Sequence, residues 1–273
     1  MYDIYTVNYA NALSARTGTD GFQPKFLYDN DTKFIKSQCE LNGYLRDDWM
    51  VEYIASQICL FYNINSVVQT PCRLNIVRNN KIFERMGVIS DNFELEGLQF
   101  ISCFRLFELN DTSVNTKYYR SLSSIDKIYF LIEKLSLYAN LNYYDVANYI
   151  FGMFFVDLLV LNQDRHFHNF GVMWDTNINA YVVPKLFDFG MGLFENSNDY
   201  DDCYSLDDAL YYANIEPLSE EPVVLANLLL QNNDFLNYLD NKRSYGELIL
   251  DRSLFPSYLA YEYFLGMKNL LNV

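Results

Sequence analysis

Residues 162–190, NQDRHFHNFGVMWDTNINAYVVPKLFDFG, constrain this chain more than any other stretch. Asp164 stands five positions before Asn169, and the stretch closes on Asp188-Phe189-Gly190. Between them, residues 171–174 and 181–183 flank the polar run Asp-Thr-Asn-Ile-Asn-Ala, which reads as a strand, a turn and a second strand. A hairpin there folds Asp188 back beside Asn169, so three oxygen-bearing side chains converge on one cavity. Phosphoryl transfer needs such a set: a carboxylate to orient or deprotonate the acceptor hydroxyl, and oxygen ligands that hold magnesium on the phosphates.

Each piece alone has a simpler reading. Asp-Phe-Gly by itself is commonly a turn, Asp164 could cap a loop, and Asn169 could stabilise a turn. Order, spacing and the intervening hairpin together favour a site. Both histidines of the chain, His166 and His168, fall inside the same loop. His166 reads better as a hydrogen-bonding brace than as a proton carrier. Two histidines this close, with no neighbouring Cys, do not suit zinc.

The Asp164 and Asn169 spacing matches the base and metal-binding Asn of a kinase catalytic loop, and Asp-Phe-Gly matches the second metal-ligand motif. Asp-Arg-His-x-x-Asn at 164–169, in place of the usual His-Arg-Asp order, resembles two groups, the HipA-like bacterial toxin kinases and the phosphoinositide-type lipid kinases. Asn-x-Asp-Arg-His-x-x-Asn-Phe-Gly at 162–171 resembles HipA more closely. Gly21-Phe22-Gln23-Pro24-Lys25 is similar to the Gly-x-Gln-x-Lys signature that opens the HipA-like core, and Ser90-Asp91-Asn92-Phe93 resembles a segment of short HipA-like proteins. The resemblance spans most of residues 15–195 and weakens towards the C-terminus.

That resemblance implies an α+β, bilobal protein-kinase-like fold. Residues 1–110 would form a strand-rich N-lobe with the phosphate-covering loop, the lysine strand and a helix. Residues 111–273 would form a mainly helical C-lobe with the catalytic loop and metal-binding motif. It further implies an ATP- and Mg2+-dependent Ser/Thr protein kinase, with Asp164 as catalytic base and Asn169 and Asp188 as magnesium ligands. Lys36 would hold the phosphates, and Thr19, Gly21, Phe22, Gln23, Lys25 and His166 would line the nucleotide. A kinase lysine is positioned by a helix carboxylate. Asp48 and Glu52, four apart on one helix face, both qualify; family position favours Asp48 and reach favours Glu52. Lys33 and Lys25 compete for the lysine role, most simply as solvated strand residues, although Lys25 belongs to the signature.

Two departures stand out. Longer HipA proteins carry an extra N-terminal subdomain that this sequence lacks before its signature, and a separate chain could supply it. The family's autophosphorylated Ser aligns with Gly18, flanked by Thr17 and Thr19, so such control is lost or has moved to a threonine. HipA-like kinases act on aminoacyl-tRNA synthetases and are restrained by a helix-turn-helix antitoxin, which makes a protein substrate and such an antitoxin the implied partners. Two other functions compete: a lipid or small-molecule kinase sharing the Asp-Arg-His loop, and a nucleotide-binding regulator without catalysis. Residues 195–208 contain no Lys or Arg, which disfavours a membrane-facing patch.

Composition narrows partners and compartment. The net charge of −15 opposes direct binding to nucleic acid or anionic membrane, and suits a basic partner. The five cysteines are scattered without a Cys-x-x-Cys pair, as expected for free thiols in a reducing compartment. No signal peptide is evident, and the longest apolar stretch, residues 149–161, is too short to span a bilayer and contains Asp157. A cytoplasmic location follows.

The periodicity predicts two strands over 25–36 around an Asp-Asn-Asp turn, and a helix over 47–62. More strands are expected over 71–107, helices over 123–139 and 144–161, and an irregular acidic stretch over 191–215. A helical end broken at Pro256 completes the layout.

Overall fold

The structure, a computed structural model, describes residues 2–13, 23–94, 97–110, 117–195, 200, 203 and 205–273. Short polar residues set the turns of its first third. Strand β1 (Ile4–Asn8) is followed by β2 (Lys25–Tyr28) and β3 (Lys33–Ser37). Asp29, Asn30 and Asp31 join the latter pair with φ of 51°, 53° and 66°. Asp and Asn tolerate this left-handed region better than other non-glycine residues, and Thr32 Oγ1 closes the turn by donating to the Asp29 carbonyl at 2.8 Å.

A small hairpin, β4 (Glu40–Leu41) and β5 (Tyr44–Leu45), leads into helix α1 (Asp48–Phe61). Then β6 (Thr70–Arg78) turns into β7 (Lys81–Asp91) through Asn79 and Asn80, both left-handed. That two-residue loop matches the twist of a hairpin. The five-stranded sheet runs β1-β6-β7-β3-β2, with β1 parallel to β6.

Register places the ionic residues. Lys36 on β3 pairs with Lys25 on β2 and with Val88 on β7. Paired residues of antiparallel strands share a face, so both lysines project from the same side of the sheet. Gly87 permits the close approach of β7, since a Cβ there would lie 2.4 Å from the Lys36 carbonyl oxygen.

Strand β8 (Leu98–Ser102) leaves that sheet and pairs with β9 (Gly171–Asp175), which pairs in turn with β10 (Ala180–Val182). Residues 103–107, expected as strand, are helical instead: α2 is Cys103–Asn110. Cys103, Leu106 and Phe107 are buried at helical spacing, a stripe too short to separate from strand alternation.

The remaining helices are α3 (Lys117–Ser121), α4 (Ser124–Ala139), α5 (Tyr143–Leu159), α6 (Leu206–Leu210), α7 (Pro222–Leu230), α8 (Asn233–Arg243) and α9 (Tyr258–Leu271). Helix α4 starts where Ser123 caps the Asp126 N–H and stops at left-handed Asn140. Short α6 interrupts the stretch expected to be irregular, and Pro256 falls in the break before α9.

Helix α5 is apolar on every side, and from Val146 to Leu159 only Asn148 is exposed. Such a helix belongs at the centre of a core. The larger apolar cluster surrounds it and includes Val51, Ile54 and Ile58 of α1. Fully burying an Ile contributes about 1.5–3 kcal/mol relative to exposure, so α1 is anchored to the helical part rather than to the sheet alone. A smaller cluster, with Phe26, Ile35, Leu74 and Ile89, lies on the five-stranded sheet.

Among the described residues no cysteine forms a disulfide, and Cys39, Cys59, Cys72 and Cys103 are buried. Among the described residues, no helix is long and apolar enough to cross a membrane.

Candidate active site

The loop after α5 is built on one buried ion pair. Asp157 lies near the helix end with no exposed surface, and Arg165 is fully buried beside it. Arg165 Nε and Nη2 donate to the two Asp157 oxygens at 3.0 and 2.9 Å, and Asn162 Nδ2 adds a bond of 2.8 Å. Arg165 Nη1 donates to the carbonyls of Asn169 (3.0 Å) and Phe187 (2.8 Å), and its guanidinium lies 4.7 Å from the centre of the Phe189 ring. One side chain therefore ties the helix end, the 162–170 loop and the approach to Asp188. Burial raises the Asp157 carboxyl above its ordinary pKa, and the guanidinium works against that rise.

With the loop fixed, Asp164 presents its carboxylate outward, 52% exposed. Its carbonyl, not its carboxylate, accepts from Asn169 Nδ2 at 2.8 Å. That bond commits the Asn169 Nδ2 and leaves Oδ1 as the acceptor atom of the carboxamide. Partial desolvation raises the Asp164 pKa, His166 lowers it, and the neighbouring Asp188 charge raises it again.

The second half of the site comes from the sheet and α1. Lys36 is 3% exposed. Its Nζ donates to Glu52 Oε1 and, at 2.8 Å, to Asp188 Oδ1. Lys25 Nζ stands 3.3 Å from both Asp188 oxygens. Glu52 Oε1 also accepts from the Phe189 and Gly190 N–H groups at 3.2 Å each, so α1 grips the Asp-Phe-Gly backbone directly. Asp188 adopts a left-handed φ of 65°, a conformation costly for a non-glycine residue unless its surroundings enforce it. Burial alone would raise the Asp188 pKa, but Lys25 and Lys36 hold it well below the usual carboxylate range. Burial would likewise lower the Lys36 pKa, yet Asp188 and Glu52 hold its ammonium charged.

Asp48 takes a different place from Glu52. It accepts from Gln23 Nε2 (2.9 Å), Cys39 N (3.1 Å) and Trp49 N (3.0 Å), and burial pushes its carboxyl up to about 8. Lys33 lies apart, in a partly exposed pair with Asp91 at 2.5 Å. His166 Nδ1 accepts the His168 N–H at 3.2 Å, while its Nε2 is 4.0 Å from Asp164 Oδ2, an arrangement that suits a loop brace. Thr19, Gly21 and Phe22 lie outside the described residues, as do Thr17 and Gly18. Sequence reading gave Asp157 no role in the site, although a lone charge in an apolar helical stretch is the signal of a buried ion pair.

The donor set fits magnesium. Among the described residues no three His, Cys, Asp or Glu cluster as a metal cage. One carboxylate (Asp188) and one carboxamide oxygen (Asn169) are hard donors of the kind that would suit magnesium together with phosphate oxygens and water. A cleft of about 620 Å³ lies elsewhere, lined by residues that include Asn63, Asp145, Tyr181 and Lys242 and by none of the ionic residues above.

Comparison with solved structures decides the architecture. A Helicobacter pylori structure described as the proinflammatory kinase CtkA matches 98% of this chain and 95% of its own, with a TM-score of 0.65 and 14% identity. The fold is protein-kinase-like. Within that fold, Glu52 lies on α1, Lys36 on β3, and Asp188 at the end of the stretch 162–190. A second match is HipA of Shewanella oneidensis MR-1, solved with HipB and operator DNA, at TM-score 0.44 and 12% identity, covering 93% of this chain and 64% of that one. No protein-family model matches the sequence, and no curated protein is significantly similar to it.

Proposed function

We propose that this chain is an ATP- and Mg2+-dependent Ser/Thr protein kinase. One observation carries the proposal: Lys36, Glu52 and Asp188, from a strand, a helix and a loop far apart in sequence, meet in one buried ionic cluster. Fold alone never guarantees activity, but an abandoned site has no need of a buried lysine shared between two carboxylates. Lys36, oriented by Glu52, would turn its charge to the nucleotide phosphates, with Lys25 beside it. Asp188 and Asn169 would hold magnesium, which neutralises charge on the transferred phosphoryl group. Asp164, open to solvent, would accept the proton of the acceptor hydroxyl.

The sequence resemblance to HipA-like kinases extends the proposal to a cytoplasmic protein target, such as an aminoacyl-tRNA synthetase or other translation component. It also extends it to a helix-turn-helix antitoxin as partner.

Nucleotide binding is the first test. ATP with magnesium should raise the melting temperature, since a ligand that binds only the folded state stabilises it by mass action. At about 100-fold excess over the dissociation constant the gain is roughly 2.7 kcal/mol. The absence of any shift at millimolar ATP and magnesium would count against the proposal.

A further inference from the structure

The cleft of about 620 Å³ is walled by two helix faces. Asp145, Asn148 and Tyr149 sit three and four apart on α5, and Tyr238, Asn241 and Lys242 repeat that spacing on α8. Residues so spaced share one side of a helix. The turn that follows α1, together with β10 and its continuation to Leu186, completes the wall. Leu186 lines the cleft, whereas the next residue, Phe187, packs on Phe93 and Phe100. The volume falls in the range of small-molecule sites, about 300–1,000 Å³.

Lys242 is the residue that gives this cleft a chemistry. Lys25, Lys33, Lys36 and Lys268 each meet a carboxylate. Lys242 is partly buried, and among the described residues no carboxylate pairs with it. Its Nζ donates to the Tyr62 carbonyl at 3.0 Å and lies 5.0 and 5.8 Å from the centres of the Tyr238 and Tyr245 rings. Capping the end of α1 is a structural role, but it uses one of three ammonium protons. Burial lowers the Lys242 pKa, as expected of a cation withdrawn from water without an anion beside it. The chain has 35 acidic residues against 20 basic ones, so a lysine left clear of them in a cleft is a place for an anion from outside. Asp145 lines the cleft from α5 without pairing with Lys242, which confines a ligand's negative group to the α8 side. Ile64, Leu141 and Val183 supply an apolar surface between the polar residues.

We propose that this cleft binds a small organic anion, with its charged group on Lys242 and an apolar body against Ile64, Leu141 and Val183. The site goes beyond the kinase reading above and does not depend on it.

The test titrates the full chain with phenyl phosphate, with benzoate and with neutral benzyl alcohol, followed by magnetic resonance of the probe. At least one anion should bind saturably, with a dissociation constant of about 10 mM or tighter, the range expected of so small a ligand. Which anion binds better tells a phosphate site from a carboxylate site. Benzyl alcohol should bind about tenfold more weakly or worse, because it lacks the charge that Lys242 meets. Lys242→Met keeps the apolar stem and should weaken the anion by a similar factor. Asn148→Trp, at an exposed position on the cleft wall, should block the anion by filling the space. Melting temperature checks that each variant is folded. If Lys242→Met fails to fold, Asn148→Trp and the benzyl alcohol comparison still decide. Anion binding untouched by either folded variant, equal binding of benzyl alcohol, or no saturable binding of either anion below about 20 mM would overturn the inference. Failure of the protein to bind ATP·Mg would overturn the kinase reading and leave this site standing.

Discussion

Replacing Asp164 by Asn should lower phosphoryl transfer by about 100-fold or more while ATP affinity stays close to wild type. The separation follows from which atoms of Asp164 do structural work. Its carbonyl accepts from Asn169 Nδ2 and from the His166 N–H, and a side-chain swap leaves both bonds in place. The carboxylate has no comparable framework role and is half exposed. Asparagine keeps the shape and one acceptor oxygen but cannot take a proton. The phosphates would still meet Lys36, Lys25, Asn169 and Asp188. Because partial burial raises the Asp164 pKa, wild-type turnover should fall as pH drops through a value above the ordinary carboxylate range. The variant's residual turnover should lack that acid limb. Equal turnover would remove Asp164 from the chemistry, and loss of ATP binding would recast it as a holding residue.

The largest stability effect should come from Arg165→Met. The substitution leaves the fully buried Asp157 without its counter-ion and strips the Asn169 and Phe187 carbonyls of their donor. Breaking a buried pair from one side typically costs about 3–5 kcal/mol, a large fraction of the stability of an ordinary domain. A denaturant titration should show the midpoint falling at unchanged slope. The sign of the pH dependence is fixed. Asp157 already has a raised pKa in the folded state, and losing the guanidinium raises it further. The variant's deficit is therefore greatest where Asp157 must be charged and shrinks as the pH is lowered and the carboxyl takes up a proton. Adding Asp157→Asn should recover part of the loss, since no uncompensated charge remains.

Much of this site was legible in the sequence because its parts are local. The spacing from Asp164 to Asn169 and the hairpin to Asp188 lie within one continuous stretch, and the Asp29-Asn30-Asp31 turn announces the β2–β3 pair. What was not legible depends on register and depth. Lys25 reads as a solvated strand residue until the β2–β3 register sets it opposite Lys36 and over Asp188. Asp48 and Glu52 share a helix face by spacing alone. Only the placement of α1 against β3 and Asp-Phe-Gly gives the lysine to Glu52 and Gln23 to Asp48. Pairing of β1 with β6, across more than 60 residues, leaves no mark in local periodicity. Residues 103–107 were read as strand for want of length, as the two turns of Cys103–Asn110 give too few periods to count.

The most direct test follows the γ-phosphate. Purified protein would be incubated with γ-labelled ATP and magnesium, alone and with cell extract, beside an Asp188→Ala variant. Label on Ser or Thr of a protein is expected with the wild type, and severely reduced label with the variant, because in the proposed site Asp188 would be the metal-holding carboxylate. Label on lipid, no transfer at all, or equal transfer by Asp188→Ala would contradict the proposal.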